Sequence, residues 1–349
     1  MSLFSLNIII CFIILLIVNY SLSKAKLLID KPELGTHKYI HDSIIPLSGG
    51  IFFLSSAILL SIINQNNYIL FLYLFPFLVI GIFADTKKNF SPILRLILQL
   101  FFIFLIVNSN EIIISSIDFY FFDYLLKNNL FNVFFVCFCL ITVLNGHNLM
   151  DGLNGFVLGN FILIFAAIYL INILHGISLE NLLYQNIPLI LIILSTFFIF
   201  NFFGKCFLGD NGTYIFSIFT SVIVINFVEQ SNSDISPLLA ATFLWYPAFE
   251  NLFSILRRLK RRESIAKPDQ LHLHLLIKSY LNLKFKSNLS HKLINSLSGL
   301  LINVFLLPNF VLSIFWYNNS INLMILILTQ IIIYTLIYLK LIDLKNSKQ

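Results

Sequence analysis

The run NGHNLMDGLNG, from Asn145 to Gly155, packs three Asn, three Gly, an Asp and a His between two strongly apolar segments. Glycines let such a backbone turn tightly, and the Asn and Asp side chains offer oxygens and amides suited to phosphate, ribose or a hard metal ion. Asn148, Asp151 and Asn154 lie three apart. If the segment opens a helix, that spacing puts all three on one face; the alternative is three caps or turn residues.

Four further stretches have chemistry-bearing residues. Asp30 to Gly50, DKPELGTHKYIHDSIIPLSGG, holds His37 and His41 and breaks at Pro46 and Gly49-Gly50, or it is a solvated connector. Asp85 and Arg95 lie in FADTKKNFSPILRLILQ, where Ser91-Pro92 makes a helix start with Ser at the N-cap and Pro at N1. An acid and a guanidinium at an apolar boundary are costly unless used or joined in a mutual salt bridge. In NFFGKCFLGDNGT, from Asn201 to Thr213, Asp210 sits between glycines at the mouth of a helix, as a cap or a metal ligand. His272 and His274 flank a leucine in PDQLHLHLL, where surface histidines are the plainer reading. Glu250 lies inside an apolar segment and needs a buried partner.

The elements that must position these residues are membrane helices. A chain that is 58% hydrophobic and 11% charged, with mean hydropathy +0.91, is not an ordinary soluble domain. About eleven apolar segments are long enough to be read as spans of a roughly 30 Å hydrocarbon core. Their approximate limits are 3 to 22, 46 to 63, 68 to 84, 92 to 108, 129 to 145, 155 to 174, 187 to 203, 213 to 229, 237 to 256, 293 to 315 and 320 to 340. The expected fold is an all-α polytopic integral membrane bundle, one domain over 1–349. Of 22 Lys and Arg, all but Lys127 fall on one side if the chain starts outside, and positive charge stays on the cytoplasmic side. The cytoplasmic loops are then about 23–46, 85–91, 145–155, 204–212 and 257–292, and they contain all five stretches. The first segment lacks a basic start and a small-residue cleavage site, so it reads as a retained helix.

Net charge +6 reflects this bias plus the basic run Arg257-Arg258-Leu259-Lys260-Arg261-Arg262, which suits anionic lipid head groups rather than nucleic acid. Cys11, Cys137 and Cys139 fall inside predicted helices and Cys206 near the cytoplasmic face, so neither disulfides nor a thiolate metal site follow. There is no internal repeat, soluble domain or long linker.

Acids, amides, histidines and bases therefore converge on one face of a membrane bundle. One substrate should be anionic and cytosolic, and the other a lipid with its reactive head group at the interface. In this order, DKP…H…IPLSGG, Asp85 with SPxxRLxxQ, NxxNLMDGLNG, FLGDNGTY and HLH, the chain resembles the polyprenyl-phosphate N-acetylhexosamine-1-phosphate transferases of glycosyltransferase family 4. The resemblance covers nearly the whole chain. It implies transfer of a HexNAc-1-phosphate from a UDP-sugar, GlcNAc or a 6-deoxy HexNAc, to undecaprenyl phosphate with release of UMP. It also implies a bacterial inner membrane with the site facing the cytoplasm, Mg²⁺ with Mn²⁺ as the other candidate ion, and a first step in O-antigen, teichoic acid or another surface glycan; a homodimer is compatible with it.

By the same resemblance Asp210 looks like the metal ligand of the FLGD motif, with Asp151 beside it. Asp151 and Asn148 match the family's acid and amide loop, Asn154 follows them, and His272 and His274 match its histidine motif facing the nucleotide. Asn201, Lys205 and Arg95 are further substrate contacts, and Asp85 is the third catalytic acid. The chain departs from the family pattern at Ala84, where a pair of acids is usual, at Asn154, often Asp, and at Leu275, often a third His. A phosphate monoester has its second pKa at about 6, so a base at position 84 would gain little. Asp85 is expected to position other groups. The rival class is a transporter or flippase of a lipid-linked or nucleotide sugar, motivated by Glu250 and opposed by polar residues gathered at one interface rather than at mid-membrane. A third reading, an inactive scaffold, is motivated by Ala84.

Overall fold

The computed structural model describes residues 3–30, 44–64, 69–87, 90–177, 187–231, 234–263, 271–285 and 288–346. His37, His41, Lys88, Pro268 and Asp269 lie outside the described residues. The helices are α1 (Leu3–Ala25), α2 (Gly49–Ile63), α3 (Ile69–Leu72), α4 (Phe75–Thr86), α5 (Pro92–Ser109), α6 (Tyr120–Leu126) and α7 (Asn129–Met150). They continue as α8 (Phe156–His175), α9 (Ile187–Phe202), α10 (Gly209–Glu229), α11 (Leu238–Lys260), α12 (Leu273–Phe285), α13 (His291–Phe315) and α14 (Ser320–Asn346). Every one of the eleven apolar segments is helical.

Among the described residues seven helices are long and apolar enough to cross a membrane. Three of the expected spans are shorter: α2, α4 and α9 have 15, 12 and 16 residues, or about 22, 18 and 24 Å at 1.5 Å per residue. The third segment splits into α3 and α4 around Tyr73 and Leu74, with Pro76 in the first turn of α4, where its missing N–H costs nothing. Two helices went unforeseen: α6 in the connector before α7, and α12 inside the large basic loop.

The helix α10 is the axis of the bundle. It packs against α2, α4, α7 and α11, and 94% of its apolar window is buried. A helix enclosed on all sides needs no polar face. By contrast α1 and α14 turn most of their apolar residues outward, as helices in lipid do, since hydrocarbon is as good a solvent for Leu as its neighbours are. Close backbone approach replaces hydrophobic driving force inside the bundle. A Cβ on Gly81 of α4 would run into the backbone of Asn211, and one on Gly146 of α7 would overlap the carbonyl of Pro247 in α11. Pro247 leaves the carbonyl of Phe243 without its helical N–H, so α11 is locally interrupted where α7 crosses it.

At one end of the bundle short irregular segments are stitched together. β1 (Ile29–Asp30) pairs antiparallel with β2 (Ile45–Pro46). Phe207 N–H donates to the carbonyl of Pro46 at 2.9 Å, and Ser48 N–H to that of Phe207 at 3.1 Å. The segment before α2 and the segment before α10 are thus fixed side by side.

Candidate active site

The site is built on helix ends. The first backbone N–H groups of any helix lack intrahelical partners, and at α10 those of Asp210 and Asn211 are taken by another helix. Asp85, in the last turn of α4, accepts from Asp210 N–H at 2.9 Å, from Asn211 N–H at 3.0 Å and from Asn211 Nδ2 at 2.6 Å. A carboxylate there also meets the positive end of the helix dipole. Asn211 passes the arrangement on, its Oδ1 accepting from Gly50 N–H in the first turn of α2 at 2.7 Å. Asp85 thereby fixes where Asp210 stands. Its partner is not Arg95, as a mutual salt bridge would have it.

Arg95 instead pairs with Asp210, Nη1 to Oδ2 at 3.3 Å, and the two side chains are 30% and 26% exposed. Asp210 also accepts from Asn148 Nδ2 at 2.7 Å and from the Tyr214 hydroxyl at 3.0 Å. Asp151, just past the end of α7, accepts from the Thr213 hydroxyl at 3.2 Å. Burial first, then the neighbouring Asp210 carboxylate and Asp85, push its pKa up to about 7. Two acids that raise each other's charge cost, only one of them paired with a guanidinium, favour an added cation. Asp85, Arg95, Asn148, Asp151 and Asp210 are therefore in one cluster, joined by Thr213 and Tyr214. Tyr214 follows Asp210 by four residues, the spacing that puts two side chains on one helix face.

The NGHNLMDGLNG segment is not the start of a helix. Asn145 to Met150 are the last turns of α7, and only Asp151 to Gly155 form a turn before α8. His147 is fully buried between Ser217, 2.9 Å from Nδ1, and Asn160, 3.3 Å from Nε2. So Asn148, Asp151 and Asn154 do not share a face. Asn154 turns to α13, its N–H donating to Asn295 Oδ1 at 2.7 Å and its Nδ2 to Ser296 Oγ at 3.3 Å. Asn201 is likewise committed to the backbone, accepting from Gly155 N–H at 2.6 Å and donating to the carbonyl of Cys206 at 3.0 Å. Both are buried and brace the turns rather than face the cluster. Lys205 is exposed on the connection between α9 and α10.

The histidines form a second group. His272 and His274 stack with ring centroids 5.5 Å apart and planes tilted by 15°. Neither is a surface residue: they are 3% and 0% exposed. His274 lies against Gly152, next to Asp151, and neither of its ring nitrogens has a hydrogen-bond partner among the described residues. Burial pushes its pKa down to about 3. Glu250, fully buried, has the partner it needs in His272, Oε1 to Nδ1 at 2.8 Å, and a second in the Tyr334 hydroxyl at 2.7 Å. No sequence signal pointed to Tyr334, 84 positions away.

Fold and site together define an integral membrane helix bundle with acids, an arginine, amides and histidines drawn to one rim. The family model for glycosyl transferase family 4 matches residues 67–228, the stretch holding the whole acidic cluster. The chain is 27% identical over 256 residues to the undecaprenyl-phosphate alpha-N-acetylglucosaminyl 1-phosphate transferase of Escherichia coli K12, covering 72% of this chain and 69% of that protein. It is 24% identical over 257 residues to a probable undecaprenyl-phosphate N-acetylglucosaminyl 1-phosphate transferase of Bacillus subtilis, covering 70% and 68%. A Thermotoga maritima protein with the Escherichia coli enzyme's name is 24% identical over 246 residues, covering 70% and 71%. Over residues 67–228 the chain is similar to glycosyl transferase family 4.

Proposed function

We propose that this protein transfers a HexNAc-1-phosphate from a UDP-sugar, GlcNAc or a 6-deoxy HexNAc, to undecaprenyl phosphate and releases UMP, at the cytoplasmic face of a bacterial inner membrane. An oxygen of the lipid phosphate forms a bond to the β-phosphorus. The bond from that phosphorus to the bridging oxygen breaks, and UMP leaves with the oxygen and its electron pair. The observation that carries this reading is the Asp210 cluster, one carboxylate fixed by a helix cap and shared among Arg95, Asn148 and Tyr214.

The residues present fit a hard divalent ion. Among the described residues no three His, Cys, Asp or Glu converge on one point, and Mg²⁺ usually takes one or two carboxylates, keeping waters and substrate phosphates for the rest. Asp210 and Asp151 would hold it. When bound, Mg²⁺ neutralises charge on diphosphate oxygens as UMP departs, Mn²⁺ being the substitute. Arg95, freed from Asp210, adds a bidentate donor for phosphate oxygens. The amide of Asn148 orients the Asp210 carboxylate. Asp85 has both oxygens engaged by α10, so it holds the site in place, while burial and the Asp210 carboxylate push its pKa up to about 7. The lipid phosphate, with a second pKa of about 6, reacts as its dianion.

The test is UMP release by purified protein in detergent from UDP-GlcNAc, undecaprenyl phosphate and Mg²⁺. Asp210→Ala should lower the rate by about 10³-fold, the scale of removing a transition-state charge partner. Normal release by that variant would remove the reading.

A further inference from the structure

Glu250 is a buried acid within α11 that the transfer chemistry does not use, and its surroundings are specific. Its two oxygens face two different elements: Oε1 meets His272 Nδ1 at 2.8 Å and Oε2 meets the Tyr334 hydroxyl of α14 at 2.7 Å. An ionised carboxylate only accepts hydrogen bonds, so Nδ1 of His272 must carry a proton. That assigns the ring: Nδ1–H points to Glu250, and Nε2 is left for something else. Nε2 has no hydrogen bond to a described residue. The His272 carbonyl, meanwhile, accepts from Leu276 N–H at 3.0 Å, which anchors the backbone at the start of α12. Ring and backbone are both fixed.

The fixed ring bears on the cluster through two contacts. His272 stacks on His274, and His274 lies against Gly152, the residue after Asp151. Packed contacts therefore run from a helix outside the matched stretch 67–228 to the turn that holds Asp151. With Nδ1–H given to the buried carboxylate, Nε2 is the ring atom left to meet a polar group of the nucleotide sugar.

We infer that Glu250, supported by Tyr334, is a positioning residue that holds the His272 ring with Nε2 directed at the nucleotide sugar. The inference rests on the transferase reading. Glu250 touches no substrate, and its effect should be confined to the nucleotide. The ring and its carboxylate form one functional unit, so removing either should forfeit the same interaction.

The experiment compares wild type, Glu250→Gln, Tyr334→Phe, His272→Asn and the Glu250→Gln/His272→Asn double variant, each folded by size exclusion in detergent. Glu250→Gln keeps the shape and removes the charge; His272→Asn keeps a donor toward Glu250 and removes Nε2. Each should raise KM for UDP-GlcNAc about 10- to 100-fold, the usual range when the partner that orients a ligating group is lost. KM for undecaprenyl phosphate should stay within about 2-fold, and the double variant should be no worse than His272→Asn, because coupled residues are not additive. Tyr334→Phe, which leaves the ring packing intact, should raise KM for the nucleotide a few-fold and serves if Glu250→Gln does not fold. Calorimetric titration with UDP, which needs no turnover, should show the same ranking. Wild-type kinetics in Glu250→Gln, equal damage to both substrates, or fully multiplicative effects in the double variant would overturn the inference and leave the transferase reading standing. A wild type that neither binds UDP nor forms UMP would overturn both.

Discussion

Replacing Asp85 by Asn separates a helix cap from a proton acceptor. The carboxylate accepts three hydrogen bonds from the start of α10, at 2.9, 3.0 and 2.6 Å. An amide at the same place keeps one oxygen, enough for Asn211 N–H and Nδ2, and turns an NH₂ toward the third donor, Asp210 N–H. A hydrogen bond to a charged group contributes about 1.5–3 kcal/mol against about 0.5–1.5 for a neutral one, and an orphaned donor costs about 1–3. Because Asp85 is half-buried, the low end applies, and the loss should be about 2–4 kcal/mol. Thermal unfolding of the detergent-purified variant should start several degrees lower, with turnover down about 10²-fold as Asp210 shifts, the penalty of about 1 Å of misplacement. Raising the pH should not restore the rate. Were Asp85 the base, the variant would melt as wild type does and recover activity in alkali, and that pair of results would refute the capping argument.

Other outcomes follow from the same geometry. Ala84→Asp should change turnover by less than about 3-fold, since the lipid phosphate is already ionised at neutral pH; creation of activity from an inactive wild type would instead identify a scaffold. Burial raises the Asp151 pKa from 3.8 to about 7, so the folded state binds more protons than the unfolded one across that window. Stability without divalent cation should therefore fall as pH rises from about 3.8 through about 7, fall less steeply in Asp151→Asn, where Asp85 keeps its own pKa raised to about 7, and recover on adding Mg²⁺, all readable in melting curves. Gly81→Ala should prevent α4 from seating on α10 and yield aggregated protein on size exclusion, because its Cβ would occupy backbone of Asn211.

Much of the fold was legible because hydropathy is a sum over a whole segment: ten of the eleven apolar runs hold one helix each and the third holds two. What averaging hides is local. It merged α3 with α4 and lengthened α2 and α9, since apolar residues outside a helix count the same as those within it. Polarity misled at the end of α7, where Asn145 and His147 look like loop residues. Asn145 Nδ2 bonds back to the carbonyl of Ile141 at 2.9 Å, and His147 is satisfied by Ser217 and Asn160. Neighbouring helices supply the partners of His147, and one helix cannot announce what another will offer. The cluster around Asp210 was nameable residue by residue, yet its wiring was not. Asp85 caps a helix 125 positions away, while Asn154 and Asn201, chemically apt for a substrate, are consumed by the backbone turns they hold. Glu250 declared only a need, and the structure answered it with His272 and Tyr334.

The central claim is attack at the β-phosphorus within the Asp210 cluster, and the fate of that phosphorus tests it most directly. UDP-GlcNAc radiolabelled at the β-phosphate, incubated with the purified protein, undecaprenyl phosphate and Mg²⁺, should deliver its label to the organic phase as a sugar-bearing lipid diphosphate, one UMP appearing for each, and Asp210→Ala should slow both by about 10³-fold. Label remaining in water-soluble sugar phosphate, or reaching the lipid undiminished in that variant, would contradict the account.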